Sequence, residues 1–231
     1  MHFLIVSATT MEIRPFLEGL PLIEKQNEYL SRYQLKNSII DILITGVGMV
    51  PTAYFLGKQL ERRRYDLIIN AGIAGTFNRE LPLGTVVNVV EDCVPELGAE
   101  DGDQFLSIFE LGLADPDSPP YLHGKLVNDI LEKDLGINLE IIRNLPKVTG
   151  ITSNTIRGNA ESIIRIRKIA KVDLESMEGA AFFYACLSAG VPCLQIRAIS
   201  NLVEERNKTH WKLPLALKNL NKLLMECVNS Q

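Results

Sequence analysis

The feature that most constrains this chain is a recurring pattern. Short, unbroken apolar runs are each followed by glycine or polar residues and then by a longer helical stretch. Residues 3–7 read FLIVS, residues 66–70 read DLIIN, and residues 193–200 read CLQIRAIS. A strand wetted on one face alternates apolar with polar residues, so runs without alternation predict strands covered on both faces. Strands of that kind need helices above and below them, which points to an α/β architecture.

The rest of the chain can be read around these runs. A helix is expected from about residue 10, closed by Gly19. Strands at 29–35 and 39–45 are joined by Lys36-Asn37-Ser38. Gly46-Val47-Gly48 leads into a helix to about residue 64, with Pro51 tolerated in its first turn. The strand 66–70 ends in a glycine loop, Ala71-Gly72-Ile73-Ala74-Gly75, and another strand covers 84–91. Residues 92–122 hold Pro95, Gly98, Gly102, Gly112, Pro116, Pro119 and Pro120, which is the composition of a long functional loop. A helix is expected over 125–135, stopped at Gly136, then a strand over 148–152, a helix over 160–170 and a strand approaching Met177. An alanine-rich helix over 178–189, the strand 193–200 and a C-terminal helix from about residue 213 complete the pattern. No repeat or linker divides the chain. The expected fold is one domain over residues 1–231, a three-layer α/β/α sandwich on a mixed, mainly parallel sheet.

Composition narrows the function classes. The net charge of −4 lacks the dense basic patch that nucleic acid or an anionic membrane would require. The run Arg62-Arg63-Arg64 falls at an expected helix end, where it complements the dipole. Cys93, Cys186, Cys193 and Cys227 form no CxxC pair, so buried thiols are expected rather than a disulfide framework. His2, His123 and His210 share no ligand-like spacing, and neither a metal nor another cofactor is expected. The N-terminal residues have no basic lead and too short an apolar run for a signal peptide, and no stretch approaches the ~20 apolar residues of a membrane span. The expectation is a cytoplasmic protein.

In an open α/β sheet, ligands collect at the carboxyl ends of strands. Glu12 lies within one helical turn of the first strand, where an acid complements the helix dipole. The glycines at 72 and 75 mark a close backbone approach, but they match neither GxGxxG nor a Walker loop. Glu178 precedes a helix. It can serve as a helix-end charge or accept two hydrogen bonds from a vicinal diol such as a ribose, and both readings stand. Arg197 inside an apolar strand must meet an acidic partner or a ligand, because an unpaired buried charge is costly.

Taken together and in order, Ser7-Ala8…Met11-Glu12, Ile69-Asn70-Ala71-Gly72…Ala74-Gly75, Leu83-Gly84-Thr85-Val86-Val87, Glu175-Ser176-Met177-Glu178-Gly179-Ala180-Ala181 and Arg197-Ala198-Ile199-Ser200 resemble the nucleoside phosphorylase/hydrolase superfamily. Within it they resemble the 5'-methylthioadenosine/S-adenosylhomocysteine nucleosidases, over essentially the whole chain. The resemblance implies hydrolysis of a purine nucleoside, with Glu12 activating the attacking water. It places Met177 and Glu178 on the ribose, and Ile73 and Arg197 beside the substrate. Thr152, Ser153, Asn154, Thr155 and Ile156 would surround the base. It also implies a homo-oligomer, dimer or tetramer, in which residues 92–122 reach a neighbouring subunit.

One departure narrows the substrate. Adenine-specific nucleosidases carry an aspartate after the RAIS-like strand, and this chain carries Asn201. An amide offers one donor and one acceptor, which suits O6 and N7–H of a 6-oxopurine, so Asn201 joins Glu12 as a candidate catalytic residue. With the segments 97–105 and 201–207, the chain is similar to the futalosine hydrolases of menaquinone biosynthesis, which release hypoxanthine and dehypoxanthine futalosine. Phe105 and Arg206 are then expected near the carboxylated aromatic 5' extension of that nucleoside. The alternatives are a methylthioadenosine/adenosylhomocysteine nucleosidase, disfavoured by Asn201, and a purine nucleoside phosphorylase, disfavoured by Glu12. Phosphorylases of the superfamily carry a glycine and arginine phosphate loop in the N-terminal region, where Glu12 would repel the anion.

Overall fold

The computed structural model describes residues 1–230. The first half of the chain runs β1 (His2–Ser7), α1 (Thr10–Glu18), β2 (Leu22–Lys25), β3 (Leu30–Leu35), β4 (Ser38–Ile44), α2 (Met49–Arg62), β5 (Leu67–Thr76), β6 (Val86–Cys93), β7 (Gly98–Asp101) and β8 (Gln104–Ser107). It continues with β9 (Leu126–Val127), α3 (Glu140–Arg143), β10 (Lys147–Thr152), α4 (Ala160–Ile169), β11 (Leu174–Ser176), α5 (Gly179–Ser188), β12 (Cys193–Leu202) and α6 (Leu213–Asn229).

Strand β1 shows why its apolar run is unbroken. Phe3 and Ile5 enter a core shared with α1 and α6, through Ile13, Phe16, Leu220 and Leu224. Leu4 and Val6 point the other way, into a core shared with α2 and α5, through Leu56, Phe182, Phe183 and Cys186. Successive side chains of a strand face opposite sides, so a sheet buried on both faces must be apolar at every position. Each fully buried Leu, Ile or Phe stabilises the fold by about 1.5–3 kcal/mol. Helices therefore cover both faces of the sheet, as the expected three-layer fold requires.

The sheet runs β11-β10-β6-β12-β5-β1-β4-β3-β2. Parallel pairing joins β1 to β4 and β5, β5 to β12, and β10 to both β6 and β11. Antiparallel pairing joins β2, β3 and β4 at one edge, and also β12 to β6. The far end of β5 turns to pair with β11, Thr76 against Leu174 and Gly75 against Glu175. Strands β5, β12, β6, β10 and β11 thereby close into a barrel. This closure corrects the reading of residues 71–75 as a loop, since they continue β5, whose first half pairs with β1 and whose second half pairs with β11.

Tertiary pairing overrode local pattern elsewhere. The helix expected over 125–135 is instead the short strand β9 followed by a 3-10 turn at Ile130–Glu132. Leu126 and Val127 pair with Asp92 and Glu91 of β6. Asn128 then donates to the Cys193 carbonyl at 2.8 Å and accepts from Ile130 N–H, which breaks any helix through this point. The long loop is not structureless, since β7 and β8 form a hairpin within it, and its first residue, Asp92, is a buried member of β6. Among the described residues no helix is long and apolar enough to cross a membrane.

Candidate functional site

Glu12 owes its position to the first turn of its own helix and to the C-terminal helix packed against it. It is the third residue of α1, and its Oε2 accepts from the N–H and the hydroxyl of Thr9, each at 3.0 Å. That is the acid's half of a capping box. Pro15 interrupts the α1 ladder, and the buried Asn221 of α6 grips the helix on either side of it, accepting from Phe16 N–H and donating to the Glu12 carbonyl, each at 2.8 Å. The second carboxylate oxygen, Oε1, turns inward and accepts from Ile73 N–H of β5 at 3.2 Å. Glu12 thus caps its helix and also faces the sheet.

Gly72 explains the close approach at this point. A Cβ there would lie 2.9 Å from Arg197 Nη1 and 3.0 Å from Glu12 Oε1. A side chain at 72 would collide with both the guanidinium and the carboxylate, which converge on this glycine. Arg197, in the middle of β12, is only 1% exposed. It donates to Asn70 Oδ1 on β5, while its Nε has no hydrogen-bond partner among the described residues. Burial pulls its pKa down, and the nearby charges of Glu178, Glu12 and Asp92 hold it up. Arg197 therefore sits among carboxylates without a direct ion pair to any of them.

Glu178 is the N-cap residue of α5, at the junction with β11. Its Oε1 accepts from Gly48 N–H at 2.9 Å. Gly48, with φ of 102°, supplies a backbone conformation that a side chain would strain. Burial pushes the Glu178 carboxyl up and the Glu12 charge adds to the rise, against Arg197 and the Gly48 hydrogen bond. Met177 beside it is half-buried.

Asn201 follows a bulge in β12, where the register against β5 slips between Ile199 and Asn201. Bulges re-aim side chains, and here the Asn201 amide stands over Gly75, with Nδ2 3.1 Å from where a Cβ would be. Its Nδ2 donates to the Leu202 carbonyl at 2.9 Å and its Oδ1 accepts from Ser200 at 2.7 Å. One N–H and one lone pair are left.

The segment expected to line the base divides in two. Thr152 and Ser153 are fully buried, and their hydroxyls serve the protein itself. Thr152 donates to Asp92 and accepts from Ala180 N–H, and Ser153 accepts from Arg157. The reason is barrel closure, which turns the end of β10 inward. Asn154 and Thr155 are exposed and Ile156 half-buried. Thr155 and Ile156 join Phe105 and Arg206 around a cavity of about 640 Å³, and Arg206 lies over the Trp211 ring at 5.5 Å. A second, mostly apolar cavity of about 770 Å³ is lined by Met49, Val50, Ala180, Tyr184, Tyr121 and, again, Phe105. Neither cavity is lined by Glu12, Glu178, Arg197 or Asn201. Met49 and Ala180 nevertheless flank, in sequence, the Gly48–Glu178 contact.

Several buried polar residues were not singled out from the sequence. Arg157 is held between Glu175 of β11, at 2.9 Å, and Glu96. Asp92 and Gln195 are fully buried and bonded to each other at 2.9 Å. Asn70 receives Arg197. Among the described residues no three His, Cys, Asp or Glu side chains form a set that could hold a metal.

The profile of the phosphorylase superfamily matches residues 2–229. A futalosine hydrolase of Thermus thermophilus is 30% identical over 94% of this chain and 91% of its own. A 5'-methylthioadenosine/S-adenosylhomocysteine nucleosidase of Haemophilus ducreyi is 25% identical over 98% of this chain and 97% of its own. Among solved structures, the futalosine hydrolase of Helicobacter pylori superposes with a TM-score of 0.79 over 100% of this chain and 98% of that one, at 17% identity, a likeness of fold.

Proposed function

The chain belongs to the phosphorylase superfamily, and from that premise we propose that it hydrolyses the N-glycosidic bond of futalosine, releasing hypoxanthine and dehypoxanthine futalosine in menaquinone biosynthesis. With nucleosidases and futalosine hydrolases as relatives, the coarser activity is that of an N-glycosyl hydrolase of nucleosides. The pair of separated, buried carboxylates around one guanidinium supports hydrolysis, and the amide at 201 supports futalosine over an adenine nucleoside. Glu12 and Arg197 both converge on Gly72 without a direct ion pair, while Glu178 is held from Gly48.

Departure of a purine leaves an oxocarbenium-like sugar, which a water must meet. In this reading Glu12 takes that water's proton while a lone pair of the water attacks the sugar carbon that the purine leaves, and Arg197 lies beside the carboxylate. Ile73, whose N–H orients Glu12, fixes that carboxylate. Glu178 keeps one oxygen on Gly48 and offers the other to the ribose hydroxyls, with Met177 packed against the sugar. Asn201 presents its remaining N–H and lone pair to the 6-oxopurine edge, and Asn154, Thr155 and Ile156 surround the base. Phe105 and Arg206, an aromatic ring and a cation on one cavity, suit an aromatic extension ending in a carboxylate. Val50 and Tyr54 of α2, 78% and 59% exposed, give a second copy of the chain an apolar face to cover in a homo-oligomer.

The second reading, a methylthioadenosine/adenosylhomocysteine nucleosidase, is favoured by the relative at 25% identity and opposed by the amide at 201. Incubation with futalosine, inosine, methylthioadenosine and adenosylhomocysteine, followed by chromatography of the free base, separates the two. Hypoxanthine from futalosine as the fastest product is expected. Adenine as the main product would replace this reading with the second.

A further inference from the structure

Inside the barrel lies a carboxylate that lines neither cavity and to which the reading above gives no role. Asp92 of β6 is fully buried. Its Oδ1 accepts from the Thr152 hydroxyl at 2.9 Å, and that hydroxyl oxygen accepts in turn from Ala180 N–H at 2.7 Å. Its Oδ2 accepts from Gln195 Nε2 at 2.9 Å. Ala180 lies two residues beyond Glu178 in the first turn of α5, and Gln195 two residues before Arg197 on the same face of β12. Gly179 leaves the space: a Cβ there would come within 2.3 Å of Asp92 Oδ2.

We propose that Asp92 is a positioning residue of the hydrolytic site, its carboxylate ordering both the turn that carries Glu178 and the strand segment that carries Arg197. This rests on the functional reading above. Packing alone does not account for an acid here. A buried charge without a contacting counter-ion is costly, and Gln195 Oε1 has no partner among the described residues. An amide at 92 could donate to Gln195 Oε1 once Gln195 turned over, so the bond between the two side chains does not by itself call for an acid. The charged or titratable groups facing Asp92 are Arg197 from β12 and its own neighbour Cys93. Thr152 from β10, Gln195 from β12 and the Gly179–Ala180 turn of α5 are neutral. Burial pushes the Asp92 carboxyl up to about 6, against Gln195, Thr152 and Arg197, which hold it down. The ionised form, which balances Arg197, prevails above that pH and is lost below it.

The test is the pH profile of kcat for whichever of futalosine and methylthioadenosine the wild type cleaves faster. Asp92→Asn mimics the protonated form at every pH. It is expected to lower kcat about ten- to hundredfold, the scale of a small misplacement of reacting groups, with KM nearly unchanged. It should erase an acid limb centred near pH 6, while melting at or above the wild-type temperature in neutral buffer because a buried charge is gone. Thr152→Val removes a hydrogen bond that holds the Asp92 carboxyl down, so its limb moves to higher pH, and Thr152→Ser restores it. An Asp92→Asn enzyme with the wild-type kcat and limb overturns the proposal. If that variant does not fold, identical limbs in Thr152→Val and Thr152→Ser do so. A wild type that frees no base from either nucleoside overturns the functional reading and this one with it.

Discussion

The strand-end cluster and the arm between β6 and β9 hold their side chains in different ways. Around Gly72, each charged group is fixed by residues of a paired strand or at the start of a packed helix. Glu12 is held by Thr9 and Ile73, Glu178 by Gly48, and Arg197 by Asn70. The arm has one hairpin of two four-residue strands, the first of them exposed throughout. The contacts that tie it down include an exposed ion pair, Glu100 with Arg165 at 3.5 Å, of a kind worth about 0–1 kcal/mol. Reacting groups need positions held to a fraction of an ångström, whereas recognition of a substrate's far end tolerates loops that adjust. Under the proposed function, chemistry falls to the cluster and selectivity to the arm.

The sharpest way to break that assignment is Glu12→Gln, which keeps the side chain's shape and an acceptor for Thr9. Loss of general-base assistance should lower kcat by about 10²–10⁴-fold with little change in melting temperature. Near wild-type turnover would reduce Glu12 to a helix-capping charge. A smaller effect is expected of Asn201→Asp, at the border between chemistry and selectivity. An aspartate carboxylate sets lone pairs against O6 of hypoxanthine but can accept from N6 of adenine. A mismatched buried polar pair costs about 1–3 kcal/mol, so the ratio of kcat/KM for a hypoxanthine nucleoside over its adenine counterpart should fall about ten- to hundredfold. A ratio that does not move would mean Asn201 does not read the base. The smallest effect is expected at the cavity that Phe105 of the arm shares with Arg206. Arg206→Ala should raise KM for futalosine about tenfold, the loss of one charge-assisted hydrogen bond, and leave inosine hydrolysis unchanged. Equal effects on both nucleosides would place Arg206 on the shared part of the substrate.

The same contrast governs what could be read from the sequence. The runs FLIVS and CLQIRAIS announce strands covered on both faces, and Arg197 stands out because a charge in such a run needs a reason. Glu12 and Glu178 are legible as acids at strand–helix junctions, the positions where α/β folds gather ligands. Asp92 and Arg157 were not legible, because the partners that give them meaning lie far along the chain, Gln195 being 103 residues from Asp92. Residues 125–135 carry a helical pattern, but pairing of Leu126 and Val127 with β6 decides their conformation. The four exposed residues of β2 show no alternation that could mark a strand. The hairpin in the arm did leave a signal. Asp101-Gly102-Asp103-Gln104 has the glycine that a two-residue turn demands at positive φ, here 60°, but the surrounding prolines and glycines obscured it.

The central claim is that this member of a phosphorylase superfamily uses its N-terminal carboxylate to direct water, not phosphate, at the sugar. The most direct measurement is hydrolysis of futalosine in phosphate buffer followed by phosphorus NMR, with base release recorded over a range of phosphate concentrations. The account predicts hypoxanthine release at a rate independent of phosphate and no sugar phosphate signal. A sugar 1-phosphate formed in step with the free base, at a rate that rises with phosphate, would contradict it.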